Sequence, residues 1–255
     1  SICSILENME ESITAELTGA LASEAPAVRL AAVALLNRAG DRRTVPALDN
    51  ALISEPEAGI RKAIADVLGN LRDSQGIMPL VSVLNDRDPA VRLTAIRSLG
   101  RIHERRVIIH LIRQLDDEDE EIIWTVAEAL QMQGADARDP LTRALREGSH
   151  HSRAMAASVL EYMDMVPEDP VDKAYYLVGK EHWYEASSIG TGALAPLMEA
   201  ASDGHTHIRL GAVNAIGRVG STGAVLPLVT ALNDDSPLVR KRAEIALVTI
   251  GQPSV

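Results

Sequence analysis

Two histidine pairs, His150-His151 and His205-x-His207, are the side chains whose type and spacing most invite a metal. Imidazole nitrogen binds Zn²⁺ well, but a structural site takes four ligands and a catalytic one three, and no spacing completes either pair. Both pairs fall ahead of amphipathic segments, so they are expected to be solvated turn residues, and neither a metal nor any other cofactor is predicted. A run of carboxylates, Asp116-Asp117-Glu118-Asp119-Glu120-Glu121, lacks the glycine and ligand alternation of a calcium loop. Ahead of a helix it would complement the positive N-terminus, or it would dock a basic partner. The lone cysteine, Cys3, can form no internal disulfide. There is no phosphate loop, no Gly-x-Ser-x-Gly elbow and no Cys–His pairing at meaningful spacing, so no catalytic residue is assigned.

Charge narrows the partners. Lys and Arg number 25 against 36 Asp and Glu, a formal charge of -11, which opposes a polyphosphate ligand, because nucleic-acid affinity rests on cations that displace counterions. No apolar run approaches the roughly 20 residues that span a bilayer. With one cysteine and no leader pattern, a cytoplasmic location, a protein partner, no nucleic acid and no membrane insertion are expected.

The elements that would carry a binding surface repeat. Arg29, Arg61, Arg92, Arg209 and Arg240, each following a short apolar stretch, set a register that Ile123 and Arg153 complete, with spacings of 32, 31, 31, 30, 56 and 31. Seven residues past this slot stand Leu36, Leu68, Leu99, Leu130, Leu160, Ile216 and Leu247, and three past it Ala32, Ile64, Ala95, Val126, Ala156, Ala212 and Ala243. Offsets of three and seven share a helical face, and the small residues let a neighbouring helix come close. This defines helix B. Leucines twelve and eight residues before the slot (Leu80 and Leu84, Leu111 and Leu115, Leu141 and Leu145) define helix A, with Pro46, Pro79, Pro140, Pro196 and Pro227 near its start, where no hydrogen bond is lost. Asp88-Pro89 and Ser236-Pro237 open helix B as N-cap and first residue, and Gly40, Gly134, Gly220 and Gly251 supply left-handed helix ends. Sustained period-two alternation is absent, so no sheet is predicted.

This pattern resembles the HEAT repeat, in the short variant named after phycobilisome lyases, over nearly the whole chain. The resemblance implies an all-α, right-handed α-solenoid of about seven helix-pair repeats with helices B on the concave side. A single domain spanning 1–255 is expected, with repeats one to five in 1–166, a helical insertion in 167–192 and repeats six and seven in 193–255. It also implies two functions to weigh: a non-enzymatic protein-interaction scaffold, or a bilin lyase or lyase-like chaperone subunit that holds a tetrapyrrole. A relative of the deoxyhypusine hydroxylase kind would need His-Glu pairs on helix B to hold two irons. The residues after the slot, such as Leu30-Ala31, Leu93-Thr94 and Trp124-Thr125, supply none, and His103-Glu104 falls in a turn.

Positions one, five and nine past the slot point away from the packed face and vary from repeat to repeat, as a binding surface requires. From them Trp124, Arg97, Arg101, Glu128, Tyr162, Asn214 and Arg218 are taken as partner-binding candidates. Trp124 leads, as an indole on an outward face. The insertion, read as two short helices over 171–179 and 181–189, adds Trp183 and Tyr184 as a clasp. Tyr175 and Tyr176 belong to the same aromatic cluster, which either forms that clasp or plugs the extra pair onto the stack. At the ends, Arg242 stands where other repeats carry a small or apolar residue and is taken as a polar cap, and Ser4 with Glu7 as a capping box.

Overall fold

The computed structural model describes the backbone of residues 2–251 and the side chains of residue 9 and residues 11–251. Among the described residues every regular element is helical, and the chain is an all-α solenoid of helix pairs. No helix among them is long and apolar enough to cross a membrane. The chain divides into two compact lobes, Ser1–Ala137 and Arg138–Val255.

In the N-terminal lobe the pairs are α1 (Ile2–Ala20) with α2 (Pro26–Ala39), α3 (Val45–Ser54) with α4 (Ala58–Leu71), α5 (Ile77–Ser82) with α6 (Pro89–Arg101), and α7 (Arg105–Arg113) with α8 (Glu120–Gln133). The C-terminal lobe pairs α9 (Arg138–Glu147) with α10 (His150–Tyr162), then inserts α11 (Pro170–Gly179) and α12 (Trp183–Ser188). It continues with α13 (Leu194–Ala200) and α14 (Thr206–Val219), then α15 (Val225–Ala231) and α16 (Pro237–Gly251). The insertion helices lie within two residues of the bounds expected from sequence.

Local chemistry explains the boundaries. Pro46 is the second residue of its helix, and Pro79, Pro140, Pro196 and Pro227 are third in theirs, all inside the first turn where the missing N–H costs nothing. A 3₁₀ turn precedes each of these five helices, and in three of the turns Asp41, Asp73 or Ser221 accepts a backbone N–H two residues on. Asp88 caps α6 by accepting the Ala90 amide, with Pro89 first in the helix. Asp119 does the same for α8 from the Glu121 amide, so the acidic run does sit at a helix N-terminus. Gly40, Gly134 and Gly220 have φ of 66°, 63° and 67°. Gly251 departs from the expectation: it remains in α16 without a positive φ.

The packed face is the one that the spacing defines. Leu36, Leu68, Leu99, Leu130, Leu160 and Ile216 are fully buried, as are nearly all residues three past the slot, whereas Leu247, in the last repeat, is only half-buried. Successive helices B touch through a contact of small residues: a Cβ added at Gly69 would lie 2.5 Å from Ser98, one at Gly100 2.9 Å from Ala129, and one at Gly217 2.8 Å from Ala246. The eighth residue past one slot therefore meets the sixth past the next.

Three slot arginines join one repeat to the next, while Arg92 and Arg240 donate to carbonyls of their own turn. Arg61 donates through Nη1 to the carbonyls of Glu55 and Pro56, in its own turn, and through Nε and Nη2 to both carboxylate oxygens of Asp86 in the next repeat, at 2.8 and 2.9 Å. Arg29 repeats this with the Ser23 and Glu24 carbonyls and the Glu55 carboxylate. Arg209 does so with the Asp203 and Gly204 carbonyls and the Asp234 carboxylate. Each acceptor acid also takes a backbone N–H two residues on, from Glu57, Asp88 or Ser236. These arginines hold the carboxyls of Glu55, Asp86 and Asp234 below their ordinary values.

Two end assignments need correction. Arg242 does not cap an outer face, because it lines a pocket shared with α12 and α14. The polar switch of the last repeat lies four past the slot: Val33, Ala65, Ile96, Ala127, Ala157 and Val213 are buried there, whereas Glu244 is exposed. At the other end α1 already runs from Ile2, so Ser4 lies inside the helix and not at its N-cap. The side chains of Ser4, Glu7 and Cys3 lie outside the described residues.

Leu99→Ala should lower unfolding free energy by about 2 to 5 kcal/mol in urea titration, by lost packing and a residual cavity. Asp86→Ala, which strands the buried Arg61 guanidinium, should cost on the order of 3 kcal/mol by the same measurement. The lowered carboxyl values set the sign with pH: their stabilisation is complete above the ordinary carboxylate range and is lost as pH falls through the depressed values. The urea midpoint of the wild-type chain should accordingly decline as pH falls below the ordinary carboxylate range, and Asp86→Ala should shrink that decline.

Candidate functional site

In the C-terminal lobe the insertion and two helices B build one pocket. Helix α12 packs on α14, and α14 on α16, leaving a cavity of about 810 Å³ lined by Trp183, Tyr184, Asn214, Arg218, Arg242 and Thr249 among others. Its floor depends on Gly211. A Cβ there would lie 2.4 Å from the Trp183 indole, so the ring sits against the backbone of α14. Tyr184 is 65% exposed, and the Arg218 guanidinium carbon lies 4.9 Å from its ring centroid, a cation–π contact that braces both side chains. Four residues proposed from sequence, Trp183, Tyr184, Asn214 and Arg218, are thus brought together.

Their neighbours Ile245 and Thr249 were missed, although they stand five and nine past the last slot, the offsets that pointed to Asn214 and Arg218. Arg242 was noticed as a cap and belongs here. Glu181 and Glu185 complete the rim.

The insertion aromatics divide by role. Tyr175 and Tyr176 are buried and anchor the extra pair. The Tyr175 hydroxyl donates to Glu199 at 3.0 Å, and Arg153 lies over its ring at 5.1 Å while also pairing with Glu199 at 2.7 Å. Burial, then the Glu199 carboxylate, pushes the Tyr175 phenol above its ordinary value.

The N-terminal lobe holds the other candidates on α6 and α8. Arg97 and Arg101 line a cleft of about 410 Å³ with Lys62 and Asp66. Arg101 is committed to Asp66 at 2.7 Å and to Asn70, so it ties α6 to α4, whereas Arg97 is half exposed, 3.8 Å from Glu121. Trp124 is 60% exposed, and Glu128, one turn on, is exposed as well; neither lines that cleft. Tyr162, in the C-terminal lobe, is exposed at the end of α10 and does not line the α12 pocket. The outward face is less uniform than its spacing suggests: Leu93 is buried, and Ala154 and Leu210 are half-buried.

One histidine of each pair, His150 and His205, stands by the Asp203 carboxylate, while His207 lies 3.8 Å from Glu181. Asp203 accepts from the His205 amide at 2.7 Å and lies 3.0 Å from the His205 Nδ1, with His150 Nδ1 at 3.9 Å. Burial pushes the Asp203 carboxyl up, but the His205 contacts outweigh it and the net shift is downward. Burial lowers His150 below its ordinary value, favouring the neutral ring. The expected turn placement needs correction: His150 and His151 are the first two residues of α10 and His207 is the second of α14, with His205 at its N-cap, and the His150 side chain is largely buried. Among the described residues no group of three or more His, Cys, Asp or Glu side chains is arranged to hold a metal ion.

The model of the HEAT repeats family matches residues 14–81, 77–161 and 190–255; the chain belongs to the HEAT-repeat family. No curated protein sequence matches it. Solved structures that resemble it include human deoxyhypusine hydroxylase in complex with glycerol, 19% identical, with a TM-score of 0.46 over 97% of this chain and 99% of that one. Another is the complex of CpcE and CpcF of phycocyanin lyase from Nostoc, 18% identical, with a TM-score of 0.45 over 92% and 93%. A designed armadillo repeat protein, 19% identical, aligns over 81% and 100% with a TM-score of 0.30.

The division of the aromatics predicts opposite outcomes for neighbouring residues. Tyr184→Ala should leave the melting temperature within about 2 °C of wild type, as for an exposed side chain. Trp183→Ala, which vacates the space above Gly211, should lower unfolding free energy by about 3 kcal/mol.

Proposed function

We propose that this protein is a non-enzymatic interaction scaffold that holds a protein partner on its helix B surfaces and against the insertion. The observation that carries the reading is the convergence of Trp183 and Tyr184, from the insertion, with Asn214 and Arg218, from α14, around one pocket. Regular positions three and seven past the slot serve packing, which leaves positions five and nine free to specify a ligand. Trp124, Arg97, Glu128 and Tyr162 are further partner-contacting positions, and Arg101 supports Arg97 by fixing α6 to α4. Exposed aromatics bracketed by arginine are the side chains that dominate binding energy in protein interfaces.

A second reading, a bilin lyase or lyase-like chaperone subunit, draws on the cavity volume of about 810 Å³ beside two aromatic rings. Mixing the protein with a linear tetrapyrrole separates the two: a shifted visible absorbance band supports the lyase class, and an unchanged spectrum supports the scaffold.

The scaffold reading is tested by isolating the partner from the native cell, identifying it by mass spectrometry and titrating it in purified form. Trp124→Ala should weaken that complex by about 2 kcal/mol, near thirtyfold in Kd, with the fold intact by circular dichroism. Unaltered affinity in both Trp124→Ala and Tyr184→Ala would remove these surfaces from the interface.

A further inference from the structure

The α12 pocket carries an unbalanced set of donors. Elsewhere in the C-terminal lobe three arginines are paired with acids: Arg146 with Asp172, Arg153 with Glu199 and Arg209 with Asp234. Arg218 and Arg242 are exposed, line the same cavity and have no carboxylate partner among the described residues. Glu181 and Glu185 line the same cavity, so what the two guanidinium groups supply is charged donors without an ion-pair partner, and not a net positive field. The Trp183 indole N–H and the Asn214 amide, in the same lining, also have no acceptor among the described residues. Arg218 is held in place by the Tyr184 ring, so less side-chain freedom is lost when it binds.

We propose that this pocket receives a peptide segment of the partner that carries one acidic residue beside an apolar one. This rests on the scaffold reading and adds the chemistry of the ligand. The carboxylate is accepted by Arg218 and Arg242, whose planar forks match its two oxygens. The adjoining apolar side chain lies against Trp183, Tyr184 and Ile245. Glu181 and Glu185 on the rim repel a continuous acidic run and select a single carboxylate flanked by neutral residues.

The test uses the full chain and fluorescein-labelled heptapeptides of Gly, Ser and Leu with a central Glu, Gln or Lys, read by fluorescence anisotropy. The Glu peptide should bind at least about tenfold tighter than its Gln counterpart, and the Lys peptide weakest. Arg218→Gln and Arg242→Gln should each abolish the preference for Glu, while Arg143→Gln, at an exposed residue of α9 outside the pocket lining, should leave it unchanged. Equal affinity for Glu and Gln peptides, no binding by any peptide, or an Arg218→Gln variant that keeps the preference overturns the proposal. Free glutarate competing at the same concentration as the peptide also overturns it, in favour of a small-anion site. A native partner whose affinity falls with Trp124→Ala but ignores Arg218→Gln defeats this proposal alone and leaves the scaffold standing.

Discussion

Three of the repeats bury a guanidinium that their own turn can solvate but not neutralise, whereas Arg92 is half-buried and Arg240 exposed. Arg29, Arg61 and Arg209 spend one nitrogen on carbonyls of the turn that precedes their helix and the other two on a carboxylate of the following repeat. An isolated helix pair would leave a buried cation without its counterion, which is a severe penalty in a low-dielectric environment. Hydrophobic stacking makes neighbours favourable, whereas the arginine makes a neighbour with an acid at one particular place necessary. The close approaches of Gly69 to Ser98 and of Gly100 to Ala129 then set how near the helices lie.

Departures from this interlock follow the same physics. Ile123 replaces the arginine in α8 and is half-buried, so that position contributes packing and no ion pair. Arg153 keeps its guanidinium, but the insertion displaces the regular acceptor, and Leu145, Arg146, Glu199 and the Tyr175 ring take its place. The insertion is therefore anchored through the same residue that elsewhere joins plain repeats. With Tyr175 and Tyr176 buried as its attachment, α12 is left to cover α14, and Gly211 admits Trp183 beneath it. A pocket arises here because an extra element roofs a face that the other repeats leave open.

The residues able to recognise a ligand are those released from packing. Positions three, four, six, seven and eight past the slot are used for the core and for the contact with the next helix. Positions five and nine are released, with Asn214, Arg218, Ile245 and Thr249 as their occupants around the pocket, and in the last repeat Arg242, two past the slot, joins them. The same logic removes Arg101 from the first rank of candidates, since its charge is used between α6 and α4.

Helix pairs, their register and their buried leucines were determined by the sequence by itself, because a 3.6-residue period repeats locally and needs no partner to be seen. Turn glycines and first-turn prolines were legible for the same reason, and so were the insertion's bounds. Only the tertiary structure decided which helix covers which face. The acid six residues before most slots recurs plainly as Glu55, Asp86, Asp117, Glu147, Asp203 and Asp234, yet the pairing of Glu55, Asp86 and Asp234 with the arginine of the preceding repeat depends on the separation of two helices about 25 residues apart. Likewise nothing in the run of four insertion aromatics distinguishes the buried Tyr175 and Tyr176 from the pocket-lining Trp183 and Tyr184. Their difference comes from the angle at which two short helices meet α14, a quantity that no local period encodes.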